Sequence, residues 1–445
     1  MSGGVDSSVT ALLLKKKGYD VVGVFMKCWT SSNTRINADF NADKRGNFSD
    51  ECETEREAED ARRVAGKLGI PFYVWDFEEE YKKKVVDYMV EGYRNGLTPN
   101  PDVMCNKEIK FGLFLEKALK FGADYVATGH YVRLRRTRNP NLRMHPNDTN
   151  KKIKTIRDIR VNSDFSDRFS LYAAKDKNKD QSYFLWTLNQ KQLKHCLFPI
   201  GDYQKSEVRA IAKKAGLSTA EKKDSQGICF LGKVTLADFL GSYLPARKGA
   251  VLNAAGKVIG KHSGAHFFTI GQRHGLASGD WKRTPGASKP FYVSEKNVRE
   301  NIIVVAEGED DESLFRKEVK LTDINFINQE LSSLISARGG QARLPAEATS
   351  EGGNKGYKVL ARVRYRQPVF KATLIYTDNT QIGAEKLLRK SASSPRRSAM
   401  LVFEHRQKFV AAGQSAVFYL PAIARPGRAK ECEKSFRMLG GGIIL

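Results

Sequence analysis

Three short segments of this chain carry residue types that could do chemistry. Near the start, Ser2-Gly3-Gly4-Val5-Asp6-Ser7-Ser8 sets two glycines and several hydroxyls directly before an apolar helical pattern. Backbone N–H groups at such a turn, aided by the helix dipole, can cradle phosphate, and the glycines let the anion approach closely. The loop is neither GxxxxGK[ST] nor GxGxxG, and plain helix capping by Asp6 or Ser7 would look the same locally. The second segment, Thr98-Pro99-Asn100-Pro101-Asp102-Val103-Met104-Cys105-Asn106-Lys107, holds a cysteine beside a helix expected to start near Asn106. A thiol near a helix N-terminus and a lysine is biased towards thiolate, the nucleophilic form, and Asp102 could exchange a proton with a substrate. The third, Asp224 to Gly232, carries Cys229 between glycines, a setting from which a thiol or persulfide could swing towards another cysteine. Taken singly, either cysteine could be structural.

Elements must position these segments. Val5, Val9, Leu12 and Leu13 share a helical face that Gly18 ends, and the run Val21 to Met26 reads as a buried parallel strand. The cycle repeats: Ala58, Ala61, Val64, Ala65 and Leu68 precede the strand-like IPFYVWDF, and Phe114, Leu115, Ala118 and Leu119 precede DYVATGH. Strands alternating with helices predict an α/β fold with a doubly wound parallel sheet. Val208, Ile211, Ala212 and Ala215 make a further helical stripe. From about residue 250 helical stripes vanish, glycines become frequent, and short alternating runs predict small β domains.

The 445 residues suit two or three domains, and 75 Lys+Arg against 50 Asp+Glu leave a net charge of +25. Such an excess fits a polyanionic partner, although solubility alone would also account for it. No apolar run is long enough to span a membrane, and the first residues do not show a basic stretch followed by an apolar one, so neither a membrane span nor a signal peptide is expected from them. Six cysteines with no CxxC pair suit a reducing compartment rather than a disulfide scaffold. Residues 139–170 lack a clear period and read as an inserted surface loop, and residues 133 to 180 hold 14 basic against 6 acidic residues. In Ala361 to Arg366, alternation predicts that Arg362, Arg364 and Arg366 share one strand face.

SGGVDSS resembles the signature of the PP-loop ATP pyrophosphatases. The ordered set SGGVDSS, FMK, TPNPDVMCNKEIKF, ATGHY, KDQSYFL, DSQGICFLG, TIGQRHGL, RVRYRQ, GQSAVFY and LGGGII resembles the tRNA-specific 2-thiouridylases, including mitochondrial relatives. The resemblance covers nearly the whole chain except insertions near 139–170 and 335–356. It implies a PP-loop catalytic domain over 1–240, a small β-rich tRNA-binding domain over 241–303, and a C-terminal β-barrel-like domain over 304–445.

By that resemblance Met1, Ser2, Gly3, Gly4, Val5, Asp6, Ser7 and Ser8 hold the phosphates of ATP, with Met26 and Gly129 completing the nucleotide site. Asp102 is the acid/base, Cys105 the nucleophile and Cys229 the persulfide carrier. Contacts to tRNA fall to Asn100, Pro101 and Asp102 at the target base, and to His130, Lys179, Asp180, Gln181, Arg364, Tyr365 and Gln414. The reaction implied is adenylation of the 2-carbonyl of the wobble uridine, then sulfur transfer from a persulfide donor, leaving Cys105 and Cys229 as a disulfide. Mg²⁺ is expected with ATP, no residue is assigned to a resident metal, and a sulfur carrier or cysteine desulfurase would stand upstream. A mitochondrial location is implied for a eukaryotic chain and a cytoplasmic one for a bacterial chain.

Two departures stand out. Cys28 follows Phe25-Met26-Lys27 where relatives often have Asn, and the hydrophobic strand that family members place before the loop does not precede it here. The rival readings are another PP-loop synthetase, which has no need of the paired cysteines, and an inactive tRNA-binding relative.

Overall fold

The computed structural model describes residues 1–29, 53–138, 167–223, 235–273, 289–327, 349–351, 354–377, 398–421 and 435–445. In the N-terminal half, strands β1 (Gly23–Lys27) and β2 (Phe72–Asp76) pair in parallel. The short β3 (Val126–Ala127) runs parallel to β6 (Cys196–Leu197), while β4 (Val132–Arg138) and β5 (Asp167–Ala173) form an antiparallel pair between them in sequence. The helices Val5–Lys16, Glu53–Leu68 and Lys205–Lys214 bury the stripes expected of them, with Val5, Val9, Leu12, Val64, Leu68, Val208 and Ala212 in one core. Parallel strands joined through helices give the expected α/β architecture.

Next comes a small sheet of β7 (Gly249–Asn253), β8 (Val258–His262), β9 (Phe291–Asn297) and β10 (Ile302–Glu307), in the order β8-β7-β10-β9. Val251, Val293, Ile303 and Val305 form its core. The C-terminal strands are β11 (Phe315–Phe326), β12 (Thr349–Glu351), β13 (Asn354–Arg362), β14 (Phe370–Thr377), β15 (Ser398–Lys408), β16 (Ser415–Pro421) and β17 (Phe436–Ile444). The path β11-β15-β14-β13-β16-β17 closes because β17 pairs back onto β11, which makes a six-stranded barrel. Leu321, Ala361, Leu374, Leu401, Ala416, Phe418 and Leu439 fill it, as expected of a barrel too narrow for a channel.

The sheet does not stop at the barrel. β17 also pairs with β5, so the β4–β5 pair of the N-terminal half extends the barrel sheet sideways. A shared core follows, in which Val103, Phe111, Val132, Tyr183, Leu185 and Trp186 pack with Val417, Tyr419 and Met438.

Two expectations need correction. Residues 167–170 belong to β5 rather than to a surface loop, and residues 139–166 lie outside the described residues. The row of three arginines is also broken, because β13 ends at Arg362 and the chain turns through a left-handed Arg366 (φ 64°). Arg362 points inward. Its guanidinium pairs with the Asp180 carboxylate and donates to Ser182 Oγ at 3.0 Å and to the Tyr419 hydroxyl at 2.6 Å. The two charged side chains are only 8% and 6% exposed. The alternation was legible, but the inward polar partner was not, since Asp180 lies 182 residues away.

Removing one member of a buried ion pair leaves the other uncompensated, at a cost of about 3–5 kcal/mol. Arg362→Met is therefore expected to lower the unfolding free energy measured by denaturant titration by an amount in that range, and adding Asp180→Asn should recover part of the loss. Additive single and double losses in a double-mutant cycle would mean that the pair is not coupled.

Candidate active site

The glycine-rich loop is built for close approach. Gly3 adopts φ +67°, and a β-carbon there would meet the Glu57 carbonyl oxygen at 2.3 Å, so both conformation and space demand glycine. Gly4 caps the helix Val5–Lys16 in an extended conformation and accepts from Ser7 Oγ at 3.1 Å and Ser8 Oγ at 2.8 Å. The Ser7 hydroxyl in turn accepts from the Ser2 N–H at 3.1 Å. Met1 N donates to the Val24 carbonyl, which fixes the loop against β1, where Met26 is partly buried. Gly129 backs directly onto the loop: a β-carbon there would lie 2.9 Å from the Asp6 carbonyl carbon and from Ser7 N.

Asp6 brings together two residues that sequence reasoning missed. The Tyr131 hydroxyl donates to Asp6 Oδ1 at 2.8 Å, and Lys205 Nζ sits 2.8 and 2.9 Å from the two carboxylate oxygens. Lys205, only 12% exposed, starts the helix Lys205–Lys214, and its own N–H donates to Asp176 Oδ2 at 2.9 Å. A loop without a lysine of its own thus has one delivered from 199 residues further along. The signal available in the sequence was the capping box Gln204–Glu207, which fixes where that helix begins but not what its first residue touches.

The Asn100–Cys105 segment differs from expectation in one respect. The helix begins at Pro101, not near Asn106, because Asn100 Oδ1 accepts from the Val103 N–H at 3.2 Å and Pro101 supplies a fixed φ at the first position. It continues through wide, π-type turns over Cys105–Leu113 into Phe114–Lys120. Cys105 therefore lies in the second turn, where the N-terminal dipole is weaker, and its side chain is 2% exposed. It packs in a core with Tyr81, Val85, Met89 and Ile109, while Val103 and Phe111 of the same helical run enter the core shared with the barrel. Asp102 is partly buried.

Other candidates surround this helix. His130 is buried between Phe111 and Phe198, with ring centroids at 5.9 and 6.2 Å, and its Nδ1 lies 2.8 Å from Thr128 Oγ1. Burial, and then the charge of Lys110, hold His130 well below the ordinary histidine range, so the ring is neutral at physiological pH. Asn106 Nδ2 donates to the Phe184 carbonyl at 3.3 Å, and the Phe184 ring packs against that of Tyr365 in a tilted contact, centroids 4.4 Å apart. Arg364, partly buried, lies over the Phe409 ring at 5.7 Å. Gln414 Nε2 donates to the carbonyls of Thr98 and Pro99 at 2.8 and 3.4 Å.

Asp180 and Gln181 are occupied within the chain. Beyond its pair with Arg362, Asp180 accepts from the N–H groups of Ala174 and Ser182, and Gln181 exchanges hydrogen bonds with the Tyr131 backbone. Lys179 is partly buried beside them. The structure thus gathers Asn100, Pro101, Asp102, Cys105 and Gln414 at one place and the loop, Gly129 and Lys205 at another. Cys229 lies outside the described residues. Among the described residues Cys196 is also buried; its thiol donates to the Gln192 carbonyl at 3.1 Å, and burial pushes it up to about 12, which disfavours the thiolate.

Comparison with known proteins bears on this arrangement. A family model described as the tRNA methyl transferase HUP domain matches residues 1–233, and one described as the tRNA methyl transferase PRC-barrel domain matches residues 237–307. The tRNA-specific 2-thiouridylase MnmA of Staphylococcus epidermidis is 40% identical over 427 residues, covering 96% of this chain and 92% of that protein. Its counterpart in Streptococcus equi subsp. zooepidemicus is 40% identical over 444 residues, covering 100% of this chain and 93% of its own. That of Bacillus licheniformis is 38% identical over 444 residues.

Without its ammonium, the Asp6 carboxylate would repel an anion held at the loop. Lys205→Met is expected to weaken ATP binding about tenfold or more, roughly 1.4 kcal/mol, by isothermal titration. Gly129→Ala, whose new methyl meets backbone that cannot step aside, should weaken it at least as much. Unchanged ATP affinity in both variants would place the nucleotide elsewhere.

Proposed function

This chain belongs to the tRNA-specific 2-thiouridylase family, and on that footing we propose that it converts the wobble uridine of tRNA anticodons to 2-thiouridine, using ATP and a persulfide sulfur. The observation that carries the reading is correspondence with such enzymes along essentially the whole chain rather than over the nucleotide-binding half alone. A relative sharing only the PP-loop would not extend through the central sheet and the barrel.

In this reading residues 1–240 form the catalytic domain, and the boundary expected at 303/304 moves to the end of β10, since Ile302–Glu307 belongs to the small sheet, so that the central domain precedes a barrel domain running to 445. Met1 to Ser8, Met26 and Gly129 hold ATP with its Mg²⁺. Support comes from a cradle that a β-carbon at Gly3 or Gly129 would fill, and from a cation, Lys205, that neutralises Asp6. The uridine O2 attacks the α-phosphate and pyrophosphate leaves, so that AMP becomes a good leaving group at C2. Asn100, Pro101 and Asp102 meet the base, and Asp102 moves a proton. The terminal sulfur of a persulfide on Cys229 adds to C2 and AMP departs. The Cys105 thiolate then attacks Cys229 Sγ, releasing 2-thiouridine and leaving a Cys105–Cys229 disulfide that takes two electrons from an external thiol.

His130, Lys179, Asp180, Gln181, Arg364, Tyr365 and Gln414 are proposed to serve tRNA recognition. Arg364 and Tyr365 are the most direct candidates, as a partly buried guanidinium beside an aromatic face suits phosphate and base. Asp180 and Gln181 would act by shaping the surface, since their polar atoms are bonded inside the chain. Among the described residues no helix is long and apolar enough to cross a membrane, and the sulfur would arrive from a carrier or cysteine desulfurase system. The proposed compartment is the mitochondrion for a eukaryotic chain and the cytoplasm for a bacterial one.

Nucleoside mass spectrometry after incubation with unmodified tRNA, Mg·ATP and a persulfide donor should detect 2-thiouridine that depends on ATP. Cys105→Ser and Cys229→Ser should each abolish the product while tRNA affinity stays within about threefold. Near-normal thiolation by either variant would rule out the two-thiol route. Tight tRNA binding without ATP-dependent product from the unaltered chain would favour a binding-only relative.

A further inference from the structure

The stretch that leads into Asn100 has no regular secondary structure, yet its polar groups are taken up by two other parts of the chain. From the barrel side, the Ala412 carbonyl accepts from Thr98 N at 2.7 Å, and Gln414 donates to Thr98 and Pro99. From the central sheet, Lys296 on β9 reaches across 199 residues of sequence. Its Nζ donates to the Leu97 carbonyl at 3.3 Å, to Thr98 Oγ1 at 3.4 Å and to the Phe268 carbonyl at 2.9 Å. The same ammonium lies 6.0 Å from the centre of the Tyr93 ring. Val298, two residues on, would touch a β-carbon at Gly96 at 3.2 Å, so the contact continues along the chain.

An ammonium has three donors, and three acceptors meet this one. Holding a desolvated cation there is costly: burial brings Lys296 down to about 8. A surface lysine that merely decorated the sheet would keep its water. Two of the three acceptors sit two to three residues before Asn100, whose side chain caps the helix carrying Asp102 and Cys105, so the direction of that helix start is set by where Leu97 and Thr98 are pinned.

We propose that Lys296 is a positioning residue for sulfur transfer, fixing the Leu97–Thr98 segment from the central domain and thereby the Asn100–Cys105 turn that follows. The identity of the reaction rests on the thiouridylase reading; the contact does not. Of the titratable groups that face Lys296, Tyr93 is pushed up to about 12 by burial, and His266 is held below the ordinary histidine range by burial and by Lys296 itself. Neither changes charge between pH 7 and 10. Lys296 does. Above pH 8 it keeps two donors for three acceptors, so the segment loosens as pH rises.

The test compares the full-length chain with Lys296→Met and Lys296→Gln in two assays. In the first, thiolation with ATP, tRNA and a persulfide donor, both variants should lose about 10–100-fold in kcat, with tRNA affinity within about threefold. The wild type should show a decline centred near pH 8 that Lys296→Met lacks. In the second, mass-resolved alkylation without substrates, Cys105 should react about tenfold faster in the variants, while buried Cys196, away from the segment, stays protected as a control for global folding. Wild-type kcat together with wild-type Cys105 protection overturns the proposal. So does loss of protection at Cys105 and Cys196 together in both variants, which makes Lys296 a determinant of the fold at large. If the wild type yields no 2-thiouridine but the selective exposure of Cys105 holds, the thiouridylase reading fails and the positioning role stands.

Discussion

A helical run buried on two sides cannot shift without disturbing two cores, and the run over residues 101–120 is such an element. Cys105, Ile109, Leu115 and Ala118 sit in the core of the α/β half, while Val103 and Phe111 sit in the core shared with the barrel. Packing at the density of protein interiors gives such an element one position rather than a range. Several of the groups around Cys105 are placed relative to it. Asn100 caps its start, Phe111 packs against His130, Asn106 bonds to Phe184, and Phe184 carries Tyr365 of the barrel.

Docking of the barrel follows from the same arrangement. A helix with one face offered to a second domain needs that domain to stay, and two devices hold it. The β4–β5 pair continues the barrel sheet through β17, and the Arg362 guanidinium crosses into the N-terminal half to meet Asp180. The geometry is over-determined on the barrel side: the Tyr183 hydroxyl donates to the Ser415 carbonyl at 2.7 Å and Trp186 Nε1 to Ser415 Oγ at 3.0 Å. Polar groups satisfied this fully in a desolvated contact specify one docking pose, because any slip would strand several of them at once.

Much of this was legible in the sequence where local rules govern. Helical stripes at Val5–Leu12 and Val64–Leu68, parallel strands, and the change to β structure after residue 250 are set by periodicity over a dozen residues, and they appear where expected. Two local signals compete at one point: the Asn100 cap and Pro101 start the helix earlier than the apolar pattern suggests. Nonlocal facts were beyond periodicity altogether. Nothing near Lys205 marks it for Asp6, nothing near Lys296 marks it for Thr98, and the alternation at Arg362 gave its face but not its partner. The motif resemblance implies site residues that spacing could not, yet it assigns no role to any of these three cations.

Those cations also change how the net charge of +25 should be understood. Counted as composition, every lysine and arginine is a potential phosphate contact. In the fold, several are committed internally: Arg362 to Asp180, Lys205 to Asp6, Lys296 to carbonyls, and Arg133 to the Ala173 carbonyl and Ser435 Oγ. A cation bonded to neutral acceptors still contributes its long-range field, so Lys296, whose ammonium donates to two carbonyls and a hydroxyl, adds to attraction of a polyanion without touching it. Arg362 and Lys205 do not, because each is neutralised by a carboxylate within hydrogen-bonding distance. Long-range attraction and direct contact are therefore carried by different residues here, and only the contacting set can confer register on the tRNA.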